Sequence, residues 1–575
     1  MAGGTGSIGM LAEGMEQYKD YHIAEMPLGT PFFRAQVERF LGDNALAFEE
    51  VDSYYVVTDG EGAILSGAGI KGDVIKCVAV AEEHRSEGLM APLISHIIGL
   101  QGGRNLKVFT KPEYRRVFES LGFHLLAEAP KAILLENGGG LEAYVRYLAA
   151  LPRKGVCGVV VMNANPFTLG HRHLLEVALK QVDTLFVLPV KEDVSFFPYA
   201  ERRSMLEAVP GVVLAEGSAY QISAATFPTY FLKDLTEASE TQMQLDIDLF
   251  ARQIAPALGA SVRFVGEEPE DALTSRYNSL MAQMLPSFGI STVVVPRLRL
   301  DGVVVSASRV RRALLEGHFA DAARLTPGSV HPYLLSALAV RALRMELDTP
   351  LKPGLVGPDS SGAHHDMDYG LMQRGIAAIR PYLSRMACAE TAEQLVDLGL
   401  AAEKEMLSAT LGVNTHRGAI FCLGIALAAA GGREMETIHS EDVMQNNVRQ
   451  IAEVVLRKQF SDSKLHFTLE NLHGARALAA EAYAPLFRDW LPLYRQTRSP
   501  QRTLLGIMST LEDTCVLHRV GALRAQRVRE EAAALLENYS EEGLKQLCIR
   551  YAREGISPGG AADMLALTIF IDSIL

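Results

Sequence analysis

The chain has 575 residues, 48% hydrophobic and 21% charged, with a net charge of −13. That length accommodates about three domains, and the acidic balance argues against nucleic acid as a main partner. Six cysteines are scattered without Cys-x-x-Cys spacing, so no zinc site or disulfide framework follows and a reducing cytoplasm fits, and the longest apolar run, Gly418 to Gly432, is too short to span a membrane.

In chain order, Met1 to Gly9 is glycine-rich and lacks a basic, apolar-cored leader, so it reads as a frayed tail with no signal peptide. Tyr54–Thr58 and Ala63–Ser66 are predicted strands joined by the hairpin signal Asp59-Gly60-Glu61-Gly62. Asp73–Val80 is a third strand. Ala81 to Met90 then opens an amphipathic helix through Leu100. Asn105–Thr110 is a further strand, and Tyr114 to Phe123 a short helix with a glycine stop. This order resembles the α+β GNAT acetyltransferase fold, whose Arg/Gln-x-x-Gly-x-Gly/Ala turn wraps a coenzyme A pyrophosphate with backbone N–H groups. Arg85, Gly88 and Met90 hold the three key places, and Met90 is bulkier than that pattern's small residue. The resemblance implies a CoA-like site at Arg85 and Gly88, or a GNAT-like scaffold with a degraded site. A docking module for an acyl carrier protein is the non-enzymatic alternative.

Residues 141–330 form the second predicted domain. Gly138-Gly139-Gly140 reads as a flexible joint, and the helix-forming Leu141–Leu151 that follows makes it a short tether rather than a disordered linker. Gly158 to Met162 is a buried strand and Asn163 to Phe167 a polar, proline-broken turn. From Thr168 the spacing is helical, with Leu174, Leu175, Ala178 and Leu179 on one side. Such a turn points backbone N–H groups at an anion. Gly170 leaves room for a ligand, Thr168 and His171 offer donors, and no Gly-Lys-Ser/Thr follows, so this is not a Walker loop. Thr184–Val190 is a second strand, ending in Lys191-Glu192-Asp193 at the carboxyl edge, where ligands of doubly wound sheets bind. Phe196 to Arg203 starts a helix. Val212–Glu216, Val262–Val265 and Thr292–Val295 complete a mostly parallel, Rossmann-like α/β sheet. In Val305 to Arg312, Ser306 is a good N-cap, Ser308 lies in the first turn, and Arg311 suits paired phosphate oxygens. Alone, that motif also reads as a solvated helix cap.

Met162-Asn-Ala-Asn-Pro-Phe-Thr-Leu-Gly-His171 resembles the T/H-x-G-H signature of the nucleotidyltransferase superfamily and is close to its branch of acetate:thiol-citrate lyase ligases. Val305 to Arg312 resembles the superfamily's I-S-S-T-x-I-R, about 135 residues further on. Gly266-Glu267-Glu268-Pro269, Tyr277-Asn278 and Ile222 to Phe231 match the ligase pattern, and those ligases carry a GNAT-like domain in front. The resemblance implies that Asn165, Thr168, Gly170, His171, Lys191, Ser306, Ser308 and Arg311 hold ATP. Acetate then attacks the α-phosphorus, and His171, the catalytic residue, supports the leaving pyrophosphate with Ser308 and Arg311. A thiol on the citrate lyase acyl carrier protein takes the acetyl group. Spacing alone says nucleotidyl transfer, so adenylylation of a phosphorylated metabolite stays open.

After Thr326-Pro327-Gly328 strand signals fade, and residues 331–575 are predicted to be all-α. Gly/His/Asp-rich breaks recur at Thr349–Val356, Ser361–Asp368, Gly412–Ala419, His473–Arg476, Asp513–Arg519 and Ser557–Asp563, which argues for a lined pocket. This set resembles triphosphoribosyl-dephospho-coenzyme A synthases, in which a hydroxyl of 3'-dephospho-CoA attacks the ribose C1′ of ATP and adenine leaves. The resemblance implies catalytic Asp366 and Asp513, and Mg²⁺ at Asp366 and Asp368. It places Lys352, His364, Glu403, His416, Arg476, Arg519 and Asp563 on the substrates and their phosphates. Each carboxylate taken singly also reads as a cap or a solvated charge. Gly357 stands where that family has Asp, Cys515 where it has Asn, and Leu411 where it has Gly. The whole chain thus reads as a cytoplasmic bifunctional enzyme of citrate lyase maturation.

Overall fold

The structure, a computed structural model, describes residues 22–191, 195–220, 235–268, 271–431, 440–461 and 474–575. The Met1–Gly9 tail, Glu192, Asp193, the stretch from Ile222 to Phe231, Pro269 and His473 lie outside the described residues.

The first sheet contains β1 His22–Met26, β2 Ser53–Thr58, β3 Ile64–Lys71, β4 Val74–Val80, β5 Lys107–Thr110, β6 His124–Glu128 and β7 Ile133–Glu136, in the spatial order β1-β2-β3-β4-β5-β7-β6. β4 and β5 run parallel, and the other neighbours antiparallel. Helices α1 Pro31–Asp43, α2 Met90–Leu100 and α3 Arg115–Ser120 accompany it. Strand side chains alternate between faces. In β2, Tyr55 and Val57 join the core of Leu93, Ile94 and Ile97 from α2, while Tyr54 and Val56 join that of Val37 and Leu41 from α1. Burial on both faces makes β2 an almost continuous apolar run. The helix expected from Ala81 starts only at Met90, because Gly88 takes a φ of 71°, off the helical path. β6 and β7 are too short to show a periodicity in the sequence.

The second sheet contains β8 Cys157–Met162, β9 Thr184–Pro189, β10 Val212–Leu214, β11 Ala260–Gly266 and β12 Ser291–Val295, ordered β10-β9-β8-β11-β12. Every pairing in it is parallel, as expected from the β-branched runs. Helices α4 Gly140–Ala149, α5 Leu169–Leu179, α6 Tyr199–Glu207, α7 Leu235–Leu249 and α8 Ala272–Met284 interleave with these strands. Val159, Phe186 and Leu188 pack with Ile247, Leu258, Leu280 and Ile290. The expected flexible joint is instead a close-packed corner. A Cβ on Gly140 would collide with the Tyr220 hydroxyl and the Asn105 amide, and one on Gly138 with Asn105. Tyr220 Oη and Asn105 Nδ2 donate to Glu136 Oε2 at 2.7 and 2.6 Å.

A short ribbon, β13 Arg299–Leu300 with β14 Val303–Val304, leads into α9 Ala307–Glu316. The helical region follows: α10 His331–Asp348, α11 Tyr369–Ala387, α12 Ala392–Ala409, α13 Arg417–Ala430, α14 Glu441–Ser461, α15 Pro500–Thr510, α16 Thr514–Glu537, α17 Glu541–Glu554 and α18 Gly559–Ile574. The apolar run seen in the sequence is α13, which is buried along nearly its whole length. A helix apolar all round belongs inside a protein or a membrane, and among the described residues no helix is long and apolar enough to cross one. The chain falls into two compact units. The described parts of 22–163, 173–191 and 210–297 carry both large sheets. The described parts of 164–172, 192–209 and 298–575 form the other, mainly helical unit.

Candidate active site

The two phosphate-binding motifs predicted from sequence come together within the helical unit. The Thr168 backbone N–H donates to His171 Nδ1 at 3.1 Å, and the Thr168 hydroxyl lies 2.9 Å from the same nitrogen. A ring nitrogen that accepts a backbone N–H carries no proton itself, so the neutral imidazole keeps its hydrogen on Nε2. The ring stacks on Phe167 at 5.9 Å. A Cβ on Gly170 would lie 3.2 Å from the Val305 carbonyl oxygen, so this glycine makes room for the second motif. Arg311 Nη1 donates to the Asn165 carbonyl at 2.5 Å. Partial burial lowers the Arg311 pKa from its ordinary value. Ser306 caps α9 by accepting from the Arg309 N–H, and its hydroxyl lies 3.0 Å from that of Ser308.

Lys191 is exposed after β9 and belongs to the unit of sheets. In that unit Asn278 Nδ2 donates to the Gly266 carbonyl at 2.9 Å, which joins the two remaining ligase-like stretches. Arg85 is exposed, 3.5 Å from Asn44 Oδ1, and Gly88 shapes the turn before α2.

In the helical region a cavity of about 890 Å³ gathers His364, Asp366, Glu403, His416, Arg476, Asp513, Arg519 and Asp563. Three helix starts open onto it: Asn414 to Gly418 before and into α13, Asp513 to Cys515 at α16, and Gly559-Gly560 at α18. Convergent helix N-termini with Arg417, Arg476 and Arg519 suit a polyanion. Asp513 caps α16 through Oδ1, which accepts from the Cys515 N–H at 2.8 Å, while Oδ2 accepts from the Ala561 N–H of α18 at 2.9 Å. Both its oxygens therefore clamp backbone. Asp563 is held at the start of α13, where a Cβ on Gly418 would overlap its carboxylate. Enclosure in the interior, with Glu346 and Asp513 as negative neighbours, pushes the Asp563 carboxyl well above the usual range. Burial also raises Asp513, opposed by its backbone donors.

His416 is buried, and burial with the nearby Lys352 charge lowers it to about 4. His364 accepts from Arg519 at Nδ1 (3.3 Å) and lies 2.8 Å from Ser557 Oγ at Nε2. Burial and Arg519 lower its pKa. Glu403 pairs with Arg417. Lys352 and Asp368 are not on the cavity wall. Lys352 is buried in an ion pair with Glu346, which does line the cavity. Asp368 caps α11, its Oδ1 accepting from the Leu371 N–H at 2.7 Å.

Glu346 is the principal residue the sequence reading overlooked. Its signal was present: it falls on the apolar stripe of α10 with Leu335, Ala339 and Ala342, where a carboxylate is out of place. Ser557, in the Ser557–Asp563 break, also meets the site, its hydroxyl 2.8 Å from His364 Nε2. Among the described residues no group of three or more His, Cys, Asp or Glu side chains could cage a metal ion. Asp366, exposed on the cavity side, and Glu403 offer single carboxylates. That suits Mg²⁺ arriving on a nucleotide, since this ion takes one or two carboxylates and fills its remaining sites with phosphate and water.

Comparisons with known proteins divide the chain in two. The family model of the citrate lyase ligase C-terminal domain matches residues 157–334, and that of ATP:dephospho-CoA triphosphoribosyl transferase matches residues 332–575. A [citrate [pro-3S]-lyase] ligase of Haemophilus influenzae is 38% identical over 315 residues, 52% of this chain and 94% of that protein. Its counterpart from Escherichia coli is 36% identical, over 53% of this chain and 91% of the relative. A probable triphosphoribosyl-dephosphocoenzyme-A synthase of Salmonella gallinarum is 32% identical over 270 residues, 41% of this chain and 89% of the relative.

Proposed function

Since the chain belongs to the citrate lyase ligase family and, in its last part, to the triphosphoribosyl-dephospho-CoA synthase family, we propose that the two activities form one maturation pathway on a single polypeptide. The chain is a bifunctional enzyme of citrate lyase maturation. One activity is ATP-dependent, AMP-forming acetylation of the prosthetic-group thiol on the citrate lyase acyl carrier protein. The other makes triphosphoribosyl-dephospho-CoA from ATP and 3'-dephospho-CoA, releasing adenine. The observation that carries this reading is the near-complete coverage of a relative of each kind, 94% and 89%, by one chain.

For the ligase, the Asn165–His171 turn and the start of α9 hold ATP. Acetate attacks the α-phosphorus, and the Nε2–H of His171 supports the charge that leaves with pyrophosphate. For the synthase, the helix starts and arginines of the cavity hold phosphates. As the C–N bond breaks, positive charge develops on the ribose, which the carboxylates stabilise; the 3'-dephospho-CoA hydroxyl bonds to C1′, the leaving adenine takes a proton, and the proton the hydroxyl gives up restores the donor. Asp563, whose carboxyl is raised well above the usual range by its enclosure and negative neighbours, is the proton donor. Asp513 positions the two helix starts, and Asp366 would hold a Mg²⁺ that enters with ATP. Residues 1–140, 141–330 and 331–575 act as three modules, the first GNAT-like, with Arg85 and Gly88 at its CoA-like turn. Six free thiols and dependence on ATP support a cytoplasmic location.

The test incubates the full chain with ATP and 3'-dephospho-CoA, then with ATP and acetate, and separates the products. Adenine release in the first and acetate-dependent exchange of pyrophosphate into ATP in the second are expected. Pyrophosphate instead of adenine in the first overturns the synthase reading. Exchange that needs a phosphorylated metabolite and ignores acetate overturns the ligase reading.

A further inference from the structure

Glu201 is a carboxylate in the first turn of α6 with only 7% of its surface exposed. Its partner comes from beyond the ligase sequence. Arg380, in the middle of α11, donates from Nε to Glu201 Oε1 at 3.0 Å and from Nη2 to Oε2 at 3.1 Å. The same Nη2 donates to the Phe196 carbonyl at 3.0 Å. One residue on, the Phe197 N–H donates to Asn165 Oδ1 at 2.9 Å, and the Phe197 carbonyl accepts from the fully buried Arg202 at 3.0 Å. Asn165 in turn holds Arg311 through its own carbonyl. A fork that binds a carboxylate bidentately and caps a carbonyl fixes both position and direction, which a lysine cannot reproduce. Arg380 thereby anchors the peptide that seats Asn165.

We propose that Arg380, a side chain of the triphosphoribosyl-transferase part, is a positioning residue for the ligase reaction. It holds Phe196 and Glu201 so that Phe197 orients Asn165 in the ATP-binding turn. This rests on the reading of that turn as the ligase ATP site. The dependence runs one way. Arg380 lies outside the synthase cavity lining, so the ligase needs this residue of the helical region while adenine release does not.

The test uses the full chain, with acetate-dependent pyrophosphate exchange and adenine release measured on the same preparations. Arg380→Lys and Arg380→Met are expected to lower kcat/KM for ATP in exchange by about ten- to a hundredfold, the scale of a small misplacement of catalytic groups. Lysine should retain more activity than methionine, and adenine release should stay within twofold of wild type. The double variant Arg380→Met, Glu201→Met removes the pair without leaving a buried charge. It is expected to melt like wild type and still to lose exchange, which separates positioning from folding. Exchange within twofold of wild type in Arg380→Lys and in the folded double variant overturns the proposal. A parallel fall in adenine release overturns it too, because that marks a general structural role. A wild-type chain with no acetate-dependent exchange overturns the ligase reading and this inference with it.

Discussion

The backbone N–H of Thr168 points at Nδ1 of His171 across 3.1 Å, and this contact decides which nitrogen of the imidazole carries the proton. The ring then carries its hydrogen on Nε2. His171→Ala is expected to lower acetate adenylation by about 10²–10³, the scale for losing one preorganised donor. Thr168→Ala keeps the backbone donor and so the tautomer, and should cost roughly tenfold or less. Pyrophosphate exchange measures both. A folded His171→Ala with near-normal exchange would remove the imidazole from the mechanism.

The two interior aspartates should separate in their variants. Asp513 clamps two helix starts with both oxygens. Asp513→Asn puts an amide donor against a backbone N–H, so it should lose about 1–3 kcal/mol of stability as well as adenine release. Asp563→Asn should remain folded and lower adenine release by about 10²-fold or more, as for loss of a general acid. Adenine chromatography with a melting curve distinguishes them, and near-normal turnover in Asp563→Asn would end its assignment as proton donor. Neither change should alter acetate adenylation.

Glu346 and Lys352 form a buried pair whose members are safe only together. Burial raises the Glu346 carboxyl, while Lys352 opposes that shift. Glu346→Ala leaves a cation without its counter-charge and should destabilise the helical region by about 3–5 kcal/mol. The double variant Glu346→Met, Lys352→Met should recover most of that loss, as followed by denaturant unfolding. Equal destabilisation in the single and double variants would mean that packing, and not the unpaired charge, dominates.

His416 predicts a pH dependence of known sign. Its pKa falls from 6.5 to about 4 in the folded protein. Between those values the unfolded chain binds the proton and the folded chain does not, so stability rises with pH across that window and is lost as pH falls through it. The full effect is about 3 kcal/mol. The raised carboxylates nearby slope the other way, since their protonated forms are favoured by folding. Comparison of His416→Gln with wild type isolates the histidine: the variant should lack the gain between pH 4 and 6.5. Superimposable profiles would show that His416 protonates freely in the folded state.

Much of this was legible locally. A parallel sheet follows from β-branched runs that alternate with helical spacing, because strands buried on both faces need no polar positions. The cap at Ser306 and the helical character after Pro327 also depend only on near neighbours. So do the breaks that became the cavity wall, because a helical region has little other use for so many Gly, His and Asp residues.

What only the tertiary structure decided is which groups meet. The sequence marked Gly138 to Gly140 as a flexible joint, yet Tyr220 and Asn105 fill the space beside it, from 80 and 35 residues away along the chain to either side of Gly140. It marked Asp513 as catalytic and Asp563 as a substrate contact, whereas the fold engages both oxygens of the first with backbone donors and surrounds the second with negative charge. It offered no reason to join Arg380 to Glu201. Periodicity and capping are short-range consequences of backbone geometry, so one chain segment displays them. Burial, pKa shifts and bidentate ion pairs depend on partners brought from elsewhere, and no single segment carries that information.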